Sequence, residues 1–274
     1  MTSQTRGAGG SLPALYRLVS VISLLIITLP AMAAELTFAV HPVLPQARTV
    51  QVYEPLANYL SRVTGQKIRL VTNSNFLTHW QAMKRDKYDL ILDGPHFTDY
   101  RVKNMGYTVL AKLPDVVSYT LVSNENLMIM EPSELVGKTI ATTASPAIGA
   151  LRLVELYPNP LRQPTIVETP DSEQAAELTV QGKVAAAMIP APLVGRYPSL
   201  VTVVTTEQLP SPGISASPAV SPELQQALRR ALLDAPNSAD GRKALEALNA
   251  PVLEPADNKS FQGLERLLEG MWGY

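Results

Sequence analysis

Short unbroken apolar runs alternate with stretches of helical periodicity along most of this chain. That alternation confines it to α/β folds built from strand–helix–strand units with parallel sheets. Leu36, Phe38 and Val40 alternate and predict a first strand. Val52, Leu56, Tyr59, Leu60 and Val63 then fall at helical spacing, with Gly65 where a C-terminal cap belongs. Residues 67–72 predict a second strand, 76–87 a second helix and 88–92 a third strand. Further strands are predicted over 116–123, 138–143, 165–168, 184–189 and 200–206, with helices over 147–156 and 172–183 between them. From Pro222 the pattern is helical, over 222–235, 239–249 and 259–272. Residues 73–95 laid over 169–191 share a polar opening, one helix, a lysine (Lys87, Lys183) and an apolar run ending near proline. This weak repeat suggests two lobes on one plan.

The first 33 residues read as a leader. Arg6 and Arg17 precede or open an apolar stretch from Leu18 to Leu29, and Ala31-Met32-Ala33 has the small-x-small pattern of a signal-peptidase site. A membrane span needs about 20 apolar residues, more than this core supplies. Cleavage after Ala33 is expected, releasing the chain into an extracytoplasmic space such as a periplasm with no stable membrane insertion. Cysteine is absent, so there is neither a disulfide nor a lipid-modified cysteine. The leader holds two of the 23 basic residues and no acidic one, so the mature chain has 21 basic against 24 acidic residues, net −3. No basic patch argues for nucleic acid.

The stretch Tyr88-Asp89-Leu90-Ile91-Leu92-Asp93-Gly94-Pro95-His96-Phe97 is the most informative. An apolar run without polar alternation predicts a strand covered on both faces. In open α/β sheets ligands sit beyond the carboxyl ends of such strands. Gly94 allows close backbone approach, Pro95 fixes the turn, and His96, Phe97 and Tyr100 open the next helix. The same residues also suit a plain connecting turn with its aromatics in the core.

Tyr53, Pro55-Leu56-Ala57, Tyr59-Leu60, Asp89 and Gly94-Pro95 resemble the corresponding motifs of the PhnD-like family, periplasmic solute-binding proteins of ABC importers for phosphonate, phosphite and related anions. Residues 116–143 and 212–233 are similar to the family's crossover strand and turn, and to its returning strand and C-terminal helix. The resemblance implies a type 2 periplasmic-binding fold: two α/β lobes, two crossover strands and a ligand cleft between the lobes. The boundaries it suggests are a signal peptide at 1–33, lobe 1 at 34–120 and again at 206–274, and lobe 2 at 121–205. It implies capture of a small anion as a monomer and delivery to an ABC transporter permease. The alternative output on the same fold is a sensor feeding a membrane histidine kinase.

Phosphonate binders offer a Ser-Thr-Ser-Gly run at a helix N-terminus in the second lobe. Here the run is Thr142-Thr143-Ala144-Ser145-Pro146-Ala147-Ile148-Gly149, so hydroxyls remain at Thr142, Thr143 and Ser145 but not at Ala147. Phe97 replaces the tyrosine of the turn, and His96 adds a titratable donor. The remaining candidates each have two readings. His41 faces the cleft or is a solvated loop residue; Tyr53 lines the cleft or packs the first helix. Asn75 ends the second strand near a ligand or serves as a turn residue. Tyr119 is cleft wall or hinge core. Asp93 contacts a cationic part of the ligand or caps the next helix. The run from Ala185 to Val194 has no polar side chain and predicts an apolar wall. No nucleophilic cysteine, metal-spaced His/Asp cluster, GxSxG or P-loop is present, so no enzyme, metal or cofactor is expected. His79, mid-helix beside Trp80, reads as structural.

Overall fold

The chain forms two five-stranded sheets, each flanked by helices, and passes between them twice. The computed structural model describes residues 1–5, 7 and 35–271; the leader's apolar stretch and its cleavage point fall outside them. Among the described residues no helix is long and apolar enough to cross a membrane.

The first sheet contains β1 (Leu36–Val40), β2 (Ile68–Val71), β3 (Leu90–Asp93), β4 (Thr108–Lys112) and β12 (Gly213–Ala216), in the order β2-β1-β3-β12-β4. β1 runs parallel to β2 and β3, whereas β12 enters antiparallel between β3 and β4. Its helices are α1 (Gln46–Thr64), α2 (Phe76–Met83), α3 (Pro95–Met105), α7 (Pro222–Leu233) and α8 (Ala239–Ala247). The second sheet contains β6 (Tyr119–Asn124), β7 (Thr139–Thr143), β8 (Thr165–Thr169), β9 (Ala186–Pro190) and β10 (Leu200–Thr205), in the order β10-β6-β9-β7-β8. Its helices are α4 (Ile148–Leu156), α5 (Ser172–Val180) and the single turn α6 (Ala191–Val194). The two crossings pair with each other as short antiparallel strands, β5 (Val116–Val117) and β11 (Leu209–Pro210).

The apolar run of β3 is explained by burial on both faces. Leu90 and Leu92 pack with Phe38, Val40, Ile214 and the inner sides of α1, α7 and α8. Ile91 points the other way, into a cluster with Trp80, Tyr88 and Phe97. Side chains alternate along a strand, so Asp93 shares the Ile91 face and is aimed between α2 and α3. That parity delivers a carboxylate into the interior.

Three local expectations change. The strand predicted over 116–123 is broken at Ser118, because Val116–Val117 pair with β11 while Tyr119 onward pairs with β9 and β10. The helix predicted over 259–272 is two short 3-10 segments, Asn258–Phe261 and Leu264–Leu268. Gly263 separates them at φ +85°, a left-handed conformation that an α-helical ladder cannot pass through. β4 goes unanticipated, although Val109, Leu110 and Ala111 follow the Gly106 cap of α3 as a short apolar run.

Candidate functional site

Asp93 ends β3 fully buried, and a charge in that position needs partners. Thr98 and Arg101 lie three residues apart on α3 and therefore on one side of it. Thr98 Oγ1 donates to Asp93 Oδ1 at 3.1 Å, and the Arg101 guanidinium forms an ion pair with Oδ2. Arg101, itself fully buried, also donates from Nε and from its second terminal nitrogen to Ser215 Oγ of β12, at 3.2 and 2.9 Å. From α2, His79 Nε2 lies 3.5 Å from Asp93 Oδ2, and its Nδ1 lies 3.2 Å from the Asn73 amide nitrogen. Burial opposes ionisation of Asp93, but Arg101 and His79 outweigh it and hold the carboxyl well below the usual carboxylate range.

The three histidines of the chain gather around this carboxylate. One residue past the Val40–Leu92 pair, His41 stands beside Asp93, its backbone N–H donating to Leu92 O at 3.1 Å. Burial lowers its pKa to about 4. His96, in the first turn of α3, is 2% exposed. Its Nε2 lies 3.0 Å from the carbonyl oxygen of Pro146, which belongs to the other lobe. A carbonyl only accepts, so Nε2 carries the proton, and burial lowers the ring's pKa to about 3, leaving it neutral. Nδ1 is then a bare acceptor, buried and without a partner.

Helix ends complete the arrangement. Side chains cap α2, α5, α7 and α8: Asn75, Asp171, Ser221 and Ser238 each accept from a first-turn N–H. The N-caps of α1, α3 and α4 are Pro45, Gly94 and Ala147, none of which makes a side-chain cap bond. These three helices follow the interior strands β1, β3 and β7, while α2 and α5 follow edge strands. First-turn N–H groups past the centre of each sheet are thus left to another acceptor. Around α4 the lobes meet. Ala147 packs into the Trp80–Phe97 cluster of lobe 1, and Ile148 and Leu151 pack on Leu209, Leu264 and Leu267. Gly149 lets the first turn of α4 settle against Thr142 and Tyr119; a Cβ there would lie 2.8 Å from Thr142 Oγ1 and 3.2 Å from the Tyr119 ring.

Of the residues singled out in the sequence, His41, Asp93, Gly94, Pro95, His96 and Ala147 gather at the meeting of β1, β3, α3 and α4. Asp93, however, is paired inside the protein and has no exposed surface for a ligand. Phe97 is core, stacked on Phe76 at 5.9 Å. Tyr53 packs in the main lobe 1 core and Tyr119 against α4; burial pushes both phenols up to about 12. Asn75 caps α2 through Thr78. Thr142 is buried, its hydroxyl donating to Met188 O at 3.3 Å. Thr143 and Ser145 are half-buried and border a cavity of about 210 Å³ beside α4, lined further by Ala150, Leu153, Tyr157 and Ile166. Sequence reasoning missed Arg101, Thr98 and Ser215. The available signal was an arginine eight residues after Asp93, in the helix that Asp93 precedes.

Gly94 has a specific steric role here. A Cβ would lie 2.7 Å from His96 Cε1 and 2.9 Å from Nδ1. Gly94→Ala is expected to displace the imidazole, break its bond to Pro146 and cost about 1–3 kcal/mol. Urea unfolding measures the cost, and an unchanged midpoint would contradict this placement of the ring.

Comparison with known proteins agrees with this architecture. Residues 38–261 match the family model described as ABC transporter, phosphonate, periplasmic substrate-binding protein. Among solved structures, a Prochlorococcus marinus protein in complex with methylphosphonate superposes with a TM-score of 0.73 at 13% identity, covering 85% of this chain and 97% of that one. A binding protein component of an ABC phosphonate transporter from Pseudomonas aeruginosa gives 0.71 at 14% identity, covering 85% and 84%. A Xanthomonas citri protein bound to ATP gives 0.70 at 15%, covering 86% and 96%. No curated protein sequence matches the chain. At such identities the structures speak for the two-lobe binding-protein fold, and it is the family model, spanning most of the chain, that places this protein among the phosphonate ABC transporter periplasmic substrate-binding proteins.

Proposed function

We propose that the mature protein, beginning at Ala34 in the periplasm, captures a small oxyanion between its lobes and delivers it to an ABC importer's permease. The observation that carries this reading is the junction of α3 and α4: two helix N-termini without side-chain caps and, between them, a buried histidine with an unpartnered ring nitrogen. Partial positive charge and free N–H groups at helix starts favour anions, each such contact contributing about 0.3–2 kcal/mol. Structural neighbours were solved with methylphosphonate and with ATP, so the fold accommodates anions with and without a large organic group.

A ligand bound at roughly micromolar strength corresponds to about −8 kcal/mol. At a hundredfold excess over its dissociation constant it adds about 2.7 kcal/mol of stability. For a chain of this size the melting temperature then rises by about 5–10 °C. A thermal-shift screen of phosphonates, phosphite, phosphate, sulfate and organic acids tests this. A melt shifted only by cations or neutral amines would refute the anion reading.

A further inference from the structure

We infer that the site selects an oxyanion that keeps one proton, the singly charged form, over a dianion. The inference rests on the oxyanion reading above and deepens it. Two independent features of the site converge on it.

The first is the direction of the hydrogen bond that His96 has left to make. Its Nε2 faces the Pro146 carbonyl at 3.0 Å and must donate there. In a neutral imidazole the other nitrogen carries no hydrogen and is an acceptor. Nδ1 is buried without a partner, so the complementary ligand group is a donor. A monoprotonated phosphonate or phosphite offers a P–OH to that lone pair, while its remaining oxygens accept from the first-turn N–H groups of α3 and α4. A fully deprotonated oxyanion brings a negative oxygen against a lone pair instead. A site built to bond a substrate hydroxyl rejects the analogue that lacks it, because the buried group stays unpaired.

The second is the charge inventory. The ionisable groups acting on His96 and His41 are Asp93 at the end of β3, Arg101 on α3, His79 on α2 and the two rings themselves. From lobe 2 the contact to His96 is the Pro146 carbonyl, which is uncharged and electron-rich. Arg101 is the permanent cation in this set, and Asp93, which His79 also contacts, pairs it. That ion pair carries no net formal charge to set against a dianion. What remains is the partial positive charge of the helix starts, about half an elementary charge each. That complements one negative charge better than two.

Titration calorimetry on the mature protein with methylphosphonate and with sulfate, between pH 6.5 and 8.5, tests the inference. Sulfate holds no proton in this range, whereas phosphoryl groups lose their second proton near or within it. We expect methylphosphonate to bind at least about a hundredfold more tightly than sulfate at the acid end. Its affinity should fall by about tenfold per unit once pH exceeds the ligand's second pKa, as the competent species is depleted. His96→Leu, which removes the acceptor, should collapse most of the gap between the two anions. Sulfate binding as tightly as methylphosphonate, or affinity for methylphosphonate rising with pH, overturns the inference while leaving the oxyanion site standing. A gap that survives in His96→Leu overturns the assignment to His96. If neither anion binds, and no other oxyanion shifts the melt, the site reading itself fails and the inference with it.

Discussion

Asp93→Ala is expected to destabilise the protein by about 3–5 kcal/mol, because it leaves the Arg101 guanidinium buried with no counter-charge. For a chain of this size that corresponds to a fall in melting temperature of about 6–20 °C. Ser215 would still accept from Arg101, but a hydroxyl does not neutralise a cation. The double variant Asp93→Ala/Arg101→Met should recover much of the loss, since a buried pair replaced by apolar groups is often close to neutral. Denaturant unfolding of the two single variants and the double gives the coupling directly. A loss below about 1 kcal/mol in Asp93→Ala would show that water reaches the pair. An additive double variant would show that the two side chains do not act as a unit.

The histidine cluster should make the fold acid-labile well above the range of ordinary carboxylates. Unfolded imidazoles ionise near pH 6.5, whereas burial holds His41 near 4 and His96 near 3 in the folded chain. Between these values the unfolded state binds more protons, so stability falls as pH falls. The contribution is fully present above about pH 6.5 and declines as pH is lowered through 6 and 5 toward the folded values. His41 keeps some exposed surface and contributes the smaller share. Together the two rings should withdraw on the order of 5 kcal/mol between pH 7 and pH 4. Asp93 acts lower: its depressed pKa stabilises the fold above the unfolded carboxyl value of about 3.9, and that support is lost as pH falls further. Urea midpoints measured from pH 8 to pH 4 should show the decline, and His96→Leu should flatten it. A midpoint independent of pH between 7 and 4.5 would contradict the burial of both rings.

How far the sequence reached can be judged from β3 and α3. The unbroken run Leu90-Ile91-Leu92 announced a strand buried on both faces, and it lies inside a five-stranded sheet with apolar layers on each side. Strand parity was equally legible, since Asp93 must share the face of Ile91. What parity could not convey was the partner. Arg101 lies on a helix packed on the C-terminal segments 258–261 and 264–268 and on β12, all of which return from far along the chain. No local pattern carries that information. The contact of His96 with Pro146 is hidden for the same reason, as it joins residues 50 apart on different lobes. Cap residues divide along similar lines: Pro45, Gly94, Ala147 and Pro190 before α1, α3, α4 and α6 make no side-chain cap bond, against Asn75, Asp171, Ser221 and Ser238 before α2, α5, α7 and α8. Two of these poorly capped starts, those of α3 and α4, meet between the lobes. The last predicted helix failed because its apolar spacing suited burial against α3 as well as it suited a continuous helix, and Gly263 decided between them.

The placement of β12 also imposes an order on folding. Lobe 2 is drawn from one uninterrupted stretch, Tyr119 to Thr205, so all five of its strands can meet as soon as that stretch exists. Lobe 1 begins earlier in the chain but lacks the strand between β3 and β4 until residues 213–216 arrive. Until then β3 presents a bare hydrogen-bonding edge, with its most apolar residues beside it, and β4 has no neighbour in the sheet. Closing that gap requires contacts across more than a hundred residues of sequence, the kind of pairing that slows folding. The later-synthesised lobe is thus the one able to fold first, and the strand that carries Asp93 is the segment left longest in need of protection from other chains.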